Sequence, residues 1–263
     1  MNCPICNTLC SQIHVTVKNY PILKCHHCTH GFLSTNDMPE YDESYFESHY
    51  RIPDPNSKAF RKIIKEQTHR VKKVKSIRKK GNLLDVGCGL GHFLYAAKLS
   101  GYRVSGFDFT KQNEDYITNT LKIELITSKS KAIQNGRYDI VTSWHSLEHA
   151  VDPKAYLQFV DKILDNKGVL VIEVPTHDCI DAFKMEQSWP NWDPPFHLQH
   201  FTLASLHFLL KRCGFKVVHE YTYNSDHIRN TLKKSPFFMF SRPISKLFRG
   251  NSVACICEKI EIL

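Results

Sequence analysis

The stretch LLDVGCGLG at residues 83–91 most constrains how this chain can fold. An apolar strand-like run leads directly into a turn that contains Gly87, Gly89 and Gly91, and an amphipathic helix-length segment follows. A turn of this kind leaves backbone N–H groups facing a ligand at the N-terminus of the helix. Its spacing is one residue shorter than the GxGxxG dinucleotide fingerprint. The pattern therefore predicts an α/β sheet that binds a ligand at this turn.

Two carboxylates accompany the glycine turn. Asp85 lies near the end of the preceding strand, where a carboxylate can meet a cationic amino group of a ligand. Asp108 ends the next apolar segment, about 20 residues after Gly87, where nucleotide-binding α/β folds place a carboxylate that accepts hydrogen bonds from ribose hydroxyls. The order of strand, turn, helix, strand and acid predicts a cofactor that contains a nucleoside.

Downstream of Gly81, apolar strand-length segments alternate with helix-length segments, which is typical of a parallel sheet covered by helices. Seven strands are predicted near residues 82–86, 103–107, 123–126, 138–143, 168–174, 216–220 and 252–258. Helices are predicted near residues 92–100, 113–120, 153–164 and 203–212. Residues 223–249 are too long for a hairpin turn, so we expect a further helix there. The predicted fold class is Rossmann-like α/β, with a seven-stranded, mostly parallel sheet and helices on both faces.

The N-terminus carries two CxxC pairs, which predict a small zinc-binding module. The pairs are separated by a spacer within the range of about 15–20 residues that four-cysteine zinc sites show. Four thiolates close a tetrahedral site and leave no position for water, so a structural role for Zn²⁺ is expected. The predicted ligands are Cys3, Cys6, Cys25 and Cys28, with Cys10, His26 and His27 as alternatives. The remaining cysteines are scattered through apolar segments, which indicates a reducing compartment.

The net charge of +9 is concentrated in one element. Residues 58–80 hold eleven Lys or Arg residues and a single acid, Glu66, and their apolar residues recur with a helical period. This basic amphipathic helix could dock RNA or an anionic substrate, but a solvated face with an apolar packing stripe is the favoured interpretation. The predicted organisation is a zinc-binding module at residues 1–33, a connector and basic helix at residues 34–80, and a catalytic domain at residues 81–263.

No apolar run reaches the roughly 18–20 residues of a membrane span, and no signal peptide is recognisable. We therefore expect a cytoplasmic protein without a transmembrane segment. Residues 235–250 mix aromatic residues with Arg242, Lys246 and Arg249. That composition suits a substrate lid, with contact to a membrane surface or a lipid-linked acceptor as the alternative.

Several motifs together resemble the class I S-adenosylmethionine-dependent methyltransferases whose fourth strand ends in Leu-Glu-His. They are LLDVGCGLG, Asp108, YDIVTSWHSLEHAVDP at residues 138–153, GVLVIEVP at residues 168–175, H-x-x-H-F-T at residues 197–202 and L-x-x-x-G-F at residues 210–215. The resemblance covers roughly residues 80–263 and implies S-adenosylmethionine as the cofactor. The cofactor-binding residues it implies are Asp85, Gly87, Cys88, Gly89, Gly91, Asp108, Phe109, Ser143, Trp144 and His145.

The acceptor is less constrained than the cofactor. YDESYFESHY at residues 41–50 resembles the connector that follows the zinc module of nucleotide-sugar C-methyltransferases, which implies a small-molecule acceptor derived from a sugar. Some ribosomal RNA methyltransferases also begin with a zinc module, so an RNA methyltransferase that uses the module and the basic helix to bind RNA is the first alternative. A non-catalytic protein that binds S-adenosylmethionine is the second.

Two clusters carry the candidate catalytic residues. In the first, Glu148 and His149 follow His145 at helical spacing. It resembles the metal site of quinone-biosynthesis O-methyltransferases, although a carboxylate expected there is replaced by His145. Two interpretations are open: the cluster binds a divalent metal, or its side chains form local hydrogen bonds. The second cluster lies within SWPNWDPPFHLQHFT at residues 188–202, where His197 or His200 is predicted to act as a base or an orienting group; a packed loop is the alternative.

Overall fold

The computed structural model of the chain describes residues 1–35 and 52–260. In chain order the strands are β1 (Ile13–Val17), β2 (Tyr20–Lys24), β3 (Gly31–Leu33), β4 (Asn82–Val86), β5 (Arg103–Phe107), β6 (Glu124–Ile126), β7 (Tyr138–Trp144), β8 (Leu164–Pro175), β9 (Gln199–His200), β10 (Phe215–Asn224) and β11 (Arg249–Lys259). The α-helices are α1 (Lys58–Ile77), α2 (His92–Leu99), α3 (Lys129–Gln134), α4 (Pro153–Ile163), α5 (Ile180–Met185), α6 (Leu203–Arg212), α7 (Asp226–Lys233) and α8 (Ser241–Ser245). Shorter π and 3₁₀ turns occupy Tyr116–Thr120, Leu147–His149, Glu186–Ser188, Pro190–Trp192 and Phe238–Phe240.

The main sheet has seven strands in the order β10-β11-β8-β7-β4-β5-β6. The strand β4 pairs in parallel with β5 and β7, and β5 pairs in parallel with β6. Both faces of β4 are covered, since four of its five residues are buried, as a parallel strand between two helical layers requires. The predicted Rossmann-like fold with seven strands is confirmed.

A second, smaller sheet has the order β1-β2-β3-β9. The N-terminal strands form antiparallel pairs, and β3 pairs with β9 through Gly31 opposite His200 and Phe32 opposite Gln199. The cysteine-rich N-terminus therefore completes its sheet with a strand from much later in the chain. A shared apolar core contains Val17, Ile22, Leu33, Cys179, Ala182, Trp189, Trp192 and Leu198. The module is thus packed directly against the tryptophan-containing loop.

The described chain divides into two compact units. One contains the N-terminal module, residues 145–158 and residues 173–256; the other contains α1, residues 82–144 and residues 159–172. Most of the predicted connector, including the motif at residues 41–50, lies outside the described residues. The domain boundaries drawn from the sequence stay a prediction.

The basic helix α1 packs through an apolar stripe. Ser57 caps its N-terminus by accepting a hydrogen bond from the N–H of Phe60 at 3.0 Å, which satisfies one of the unpaired donors of the first turn. The Phe60 ring lies against His92 and Tyr95 of α2, at centroid distances of 6.0 and 5.4 Å. Most of its basic side chains face solvent. Across residues 52–260 and the N-terminal 35, no helix combines the length and apolarity needed to cross a membrane.

Candidate cofactor site and histidine clusters

The glycine turn adopts a backbone that only glycine accepts easily. Gly87, Gly89 and Gly91 have φ values of 75°, 53° and 68°, all in the left-handed region. The N–H of Gly87 donates to the carbonyl of Phe107 at 2.8 Å, which holds the turn against the end of β5. Gly91 is the N-cap of α2. The predicted order of strand, glycine turn and helix is therefore present, and the turn lies at the carboxyl end of β4.

Close packing between the turn and β5 depends on Gly106. A Cβ atom added at Gly106 would lie 2.7 Å from Sγ of Cys88 and 3.0 Å from Cδ1 of Leu94. Both distances are shorter than ordinary van der Waals contacts. Cys88 is buried, and that burial raises the pKa of its thiol. Cys88 therefore packs as a small, uncharged apolar side chain between the turn and β5.

Asp108 is held by the glycine turn itself. Its Oδ2 accepts a hydrogen bond from the N–H of Gly89 at 3.1 Å, and its Oδ1 accepts one from the N–H of Thr110 at 3.1 Å. Burial raises the pKa of this carboxyl, and the backbone hydrogen bonds partly offset the effect. The two backbone donors fix the orientation of the carboxylate and couple it to the turn.

Asp85 is a buried carboxyl beside the turn, 2% exposed. Its Oδ1 accepts a hydrogen bond from the hydroxyl of Thr142 at 2.6 Å. Burial raises its pKa to about 7, against the lowering effects of the Thr142 hydrogen bond and the positive charge of Arg70. A buried carboxyl with this pKa gains stability as an anion when a ligand brings a positive charge to it.

Trp144 is the last residue of β7 and belongs to the unit that contains β4. Its ring lies edge-on to Phe93 at 5.1 Å between centroids, and the guanidinium carbon of Arg70 lies 5.0 Å from the Trp144 centroid. The buried indole Nε1–H has no hydrogen-bond acceptor among the described residues. A buried donor without an acceptor carries a free-energy cost that a ligand oxygen or nitrogen would remove. This atom is therefore one that a cofactor could satisfy.

Arg70 lies beside Trp144 and Asp85 of the candidate site, and the sequence did not single it out. It belongs to the basic helix α1 and lies one turn before Val74, which is buried. Its position on the apolar stripe could have indicated that Arg70 faces the protein, because the other basic residues of α1 lie mainly on the exposed face of the helix. Of the ten predicted cofactor residues, only His145 belongs to the other unit. Ser143 is buried, while Phe109 is exposed with the Lys129 ammonium 5.3 Å from its ring centroid.

His145 is held between two buried glutamates in the unit that contains the N-terminal module. Its Nδ1 lies 3.2 Å from Oε1 of Glu148, and its Nε2 lies 3.0 Å from Oε1 of Glu173. The phenol of Tyr223 donates a hydrogen bond to Oε2 of Glu173. Burial alone would lower the pKa of His145, but the hydrogen bonds to the two glutamates outweigh it and raise the pKa to about 9. At neutral pH the ring is therefore an imidazolium that donates from both nitrogens.

Glu173 and Tyr223 were also missed by the sequence analysis. Glu173 was detectable in principle, since it is an acid inside the otherwise apolar strand GVLVIEVP, where an acid needs a partner. The partner could not be identified, because His145 and Tyr223 approach Glu173 only through the tertiary fold. The sequence around Tyr223 gives no indication that this residue contacts Glu173.

Glu148, His149 and His197 form a convergent group whose candidate ligand atoms all lie within 4.8 Å of one another. Nδ1 of His149 lies 3.0 Å from the carbonyl of Phe196, and Nδ1 of His197 lies 2.8 Å from the carbonyl of Asn191. A carbonyl only accepts, so each Nδ1 is assigned as a protonated nitrogen, which leaves Nε2 as the nitrogen that faces the group. Three predicted catalytic residues thus come together.

The charge state of this group follows from its surroundings. Burial lowers the pKa of His149, which keeps its ring neutral at pH 7. Burial raises the pKa of Glu148, but hydrogen bonding to His145 and the nearby histidines outweigh it and hold that pKa below its ordinary value. Oε2 of Glu148 is buried and has no hydrogen-bond partner among the described residues. A carboxylate and two imidazole lone pairs at short range fit a shared cation, either a proton or a metal ion.

His200, the fourth predicted catalytic residue, occupies a different position. It is buried in β9, and its ring lies edge-on to Trp192 at a centroid distance of 5.1 Å. Burial and the neighbouring histidines lower its pKa well below the ordinary value, so the ring is neutral. Its Nε2 is buried without a hydrogen-bond partner among the described residues.

The four predicted zinc ligands converge at the N-terminus. Sγ of Cys3 lies 3.6 Å from Sγ of Cys28, Sγ of Cys6 lies 3.5 Å from Sγ of Cys25, and all four sulfurs lie within 4.8 Å of one another. Tetrahedral Zn²⁺ with bonds of about 2.3 Å to thiolates sets the sulfurs roughly 3.8 Å apart, so the arrangement fits the ion. Sγ of Cys10, a suggested alternative, lies 3.2 Å from the carbonyl oxygen of Thr8 and interacts with the Cys25 thiol, but it is not one of the four converging sulfurs.

Comparison with known proteins gives one family match and several relatives. A family model described as "Methyltransferase domain" matches residues 56–220. A ubiquinone biosynthesis O-methyltransferase of Psychrobacter arcticus is 32% identical over 100 residues, which are 34% of this chain and 39% of that protein. The chain thus spans about two fifths of the length of the curated relatives it matches.

Solved structures share the fold at low identity. An S-adenosylmethionine-dependent methyltransferase from Archaeoglobus fulgidus gives a TM-score of 0.59 at 18% identity, covering 84% of this chain and 100% of that one. The 1,6-didemethyltoxoflavin-N1-methyltransferase of Burkholderia thailandensis gives a TM-score of 0.52 at 15% identity, covering 95% and 100%. At these identities the likeness concerns the fold.

Proposed function

The chain belongs to the methyltransferase-domain family, and from this premise we propose that it transfers a methyl group from S-adenosylmethionine to a small-molecule acceptor. The observation that carries the proposal is the glycine turn with the buried carboxyl of Asp85 and the half-buried carboxyl of Asp108. Asp108 is oriented by the N–H of Gly89, and Asp85 is a buried acid whose pKa of about 7 lets it become an anion beside a cation. These groups match a ligand that combines ribose hydroxyls with a cationic amino group.

Three groups in the unit that contains β4 would hold parts of the cofactor. The Asp108 carboxylate would accept hydrogen bonds from the ribose hydroxyls, and Asp85 would bind the amino group. The indole Nε1–H of Trp144 would donate to a ligand acceptor. The sulfonium of S-adenosylmethionine supplies an electrophilic methyl group when it is bound. Arg70 would keep the Trp144 ring in place through the cation–π contact between its guanidinium and that ring.

We assign proton removal from the acceptor to the group of Glu148, His149 and His197. His149 is neutral and holds a basic lone pair on Nε2, as general-base catalysis at neutral pH requires. Glu148 stabilises the imidazolium that forms, as a buried carboxylate does beside a charged histidine. His145 is a positioning residue, because its two hydrogen bonds fix Glu148 and Glu173. His200 supports the loop through its contact with Trp192.

A divalent ion held by Glu148, His149 and His197 is the competing assignment for the same atoms. The two assignments differ in their dependence on a chelator. We expect turnover to survive dialysis against a chelator too weak to remove the ion of the four-cysteine site, with the zinc content measured before and after dialysis. Turnover that is lost while that zinc is retained, and is then restored by one divalent metal, would replace the proton-acceptor role of this group.

The four N-terminal cysteines are proposed to hold a structural Zn²⁺. Their sulfurs converge, and the module shares a core with the tryptophan-containing loop. The ion would then stabilise the fold of that unit instead of participating in chemistry. Zinc is measured per chain by atomic absorption, and a wild-type protein without stoichiometric zinc would exclude this role.

The function is tested by binding first and turnover second. Calorimetry with S-adenosylhomocysteine should show binding by the wild type, none by Gly89→Arg, and binding weakened about tenfold or more by Asp108→Asn, since a hydrogen bond to a charged group is lost. Lys62→Gln, which alters an exposed residue of α1, is the matched control and should bind normally. Unchanged binding by Gly89→Arg would refute the cofactor site.

The acceptor class is read from methyl-labelled S-adenosylmethionine incubated with a methyl-depleted cell extract. Label in the small-molecule fraction supports the proposal, and further separation asks whether the labelled compound contains a sugar. Label in an RNase-sensitive fraction would replace it with an RNA methyltransferase that uses the basic helix. Cofactor binding without label in any fraction would indicate a non-catalytic binding protein.

A further inference from the structure

Residues 235–248, here called the aromatic segment, are packed with their polar side inward. The buried residues of α8 are Ser241 and Ser245. The most exposed side chains are large and apolar: Phe237, Phe238, Met239, Phe240 and Leu247 are 57–80% exposed. Soluble proteins expose single apolar residues routinely, but a contiguous group of this size marks a binding surface.

The aromatic segment is fixed at its base, so its exposed face is part of the fold. The N–H of Ser225 donates to the carbonyls of Ser245 and Phe248, at 3.3 and 3.1 Å. The chain then leaves through Gly250, where a Cβ atom would lie 2.3 Å from the carbonyl oxygen of Asn224. These contacts hold α8 against the start of α7 and leave the aromatic side chains outward.

Positively charged residues lie within and next to the aromatic segment in sequence. Lys233, Lys234, Arg242 and Lys246 are exposed, and the sequence from residue 227 to residue 257 contains no acidic residue. Arg249 is excluded from this count, because it forms an ion pair with Asp178 at 2.7 Å. The surface therefore combines four exposed basic side chains with five large, exposed apolar side chains.

We propose that the aromatic segment binds the surface of an anionic phospholipid membrane. Phenylalanine and methionine side chains partition into the boundary between headgroups and acyl chains, while Lys and Arg meet the lipid phosphates. Charge complementarity selects this occupant. A symmetric contact with a second copy would bring the four cations of each chain against one another, which opposes association. The anionic surface favours the cations and accepts the apolar side chains together.

The test is co-sedimentation of the full chain with vesicles, and it does not depend on methyl transfer. We expect binding to vesicles of phosphatidylcholine mixed with phosphatidylglycerol, and little binding to phosphatidylcholine alone. Each inserted apolar side chain contributes roughly a tenfold gain in partitioning. The double variant Phe238→Ser with Met239→Ser should therefore bind about a hundredfold more weakly. At about 1 M salt, where the Debye length is about 3 Å, binding should also fall.

Controls separate the surface from stability and self-association. Leu99→Ser removes an apolar side chain that is 67% exposed in α2 and should bind vesicles like the wild type. Thermal unfolding of the double variant should match the wild type, since the substituted side chains face solvent. Equal vesicle binding by wild type and double variant would overturn the proposal. Failure of the wild type to bind vesicles would also overturn it. A wild-type dimer in sedimentation velocity that is lost in the double variant, with no vesicle binding by either protein, would show that the surface binds a second copy.

Discussion

Asp85→Asn isolates the cost of one buried charge at the proposed cofactor site. Asparagine keeps an oxygen that can accept the 2.6 Å hydrogen bond from Thr142, and it replaces the ionisable oxygen with an uncharged NH₂ group of similar size. In the folded protein the pKa of Asp85 is raised from 3.8 to about 7, mainly by burial. Each pKa unit corresponds to about 1.4 kcal/mol, so ionisation of Asp85 costs the ligand-free fold up to about 4 kcal/mol.

The sign of the pH dependence follows from the raised pKa. Below about pH 4 the carboxyl is protonated in both states and costs nothing. Between about pH 4 and pH 7 the unfolded chain has released the proton that the folded chain retains, so the free energy of unfolding falls as pH rises. Above pH 7 the deficit is constant. Asp85→Asn should remove this slope and be the more stable protein at pH 8.

Two assays examine this expectation. Urea unfolding of the ligand-free wild type and of Asp85→Asn between pH 4 and pH 8 should diverge progressively as the pH rises. Calorimetry with S-adenosylhomocysteine should show wild-type affinity that increases from pH 6 to pH 8, while Asp85→Asn binds about 10–100 times more weakly with little pH dependence. The matched variant Thr142→Val removes the hydrogen bond that lowers the pKa and should weaken binding at pH 7. Parallel unfolding curves for wild type and Asp85→Asn, or equal affinity, would refute the reasoning.

Three further predictions concern other parts of the site. Gly106→Ala should lower the free energy of unfolding by about 1–3 kcal/mol and weaken cofactor binding. Adding Cys88→Ala should recover part of both losses, because it removes the sulfur 2.7 Å from the new methyl group. Strictly additive effects of the two substitutions in unfolding and calorimetry would contradict this contact. Cys25→Ser should lower the zinc content and destabilise the fold by more than the roughly 1 kcal/mol of an average substitution, because binding of a structural ion is coupled to folding; one full equivalent of zinc in the variant would show that the ligand set is wrong. Glu173→Gln should lower the pKa of His145 from about 9 towards its ordinary value, as followed by NMR titration of the ring, and an unmoved titration would show that Glu173 does not control it.

The sheet and the glycine turn could be predicted because their information is local. Alternating apolar segments define the seven strands, and Gly87 and Asp108 are placed by their positions relative to strand ends. Strand limits were less accurate: β8 begins at Leu164, earlier than the predicted residue 168, since the polar residues Asp165–Lys167 of this strand break the apolar pattern.

The networks around the candidate catalytic residues were only partly predictable. Proximity in sequence grouped Glu148 with His149, and the structure adds His197 to them. The second partner of His145 is Glu173, 28 residues away in sequence, and no local pattern encodes that approach. Arg70 was interpreted as one of many surface cations, because a charge run gives no indication of which member faces inward.

The pairing of β3 with β9 has a consequence for how the protein is made. The outer edge of β3 is exposed on the nascent chain until Gln199 and His200 have been synthesised, about 170 residues later. At roughly 5–20 residues per second, this edge waits about 10 to 30 seconds for its partner. An open strand edge is a template for pairing with the wrong chain. Slowing synthesis between residues 35 and 199 should therefore increase misassembly, and a yield of native protein that is independent of translation rate would exclude this hazard.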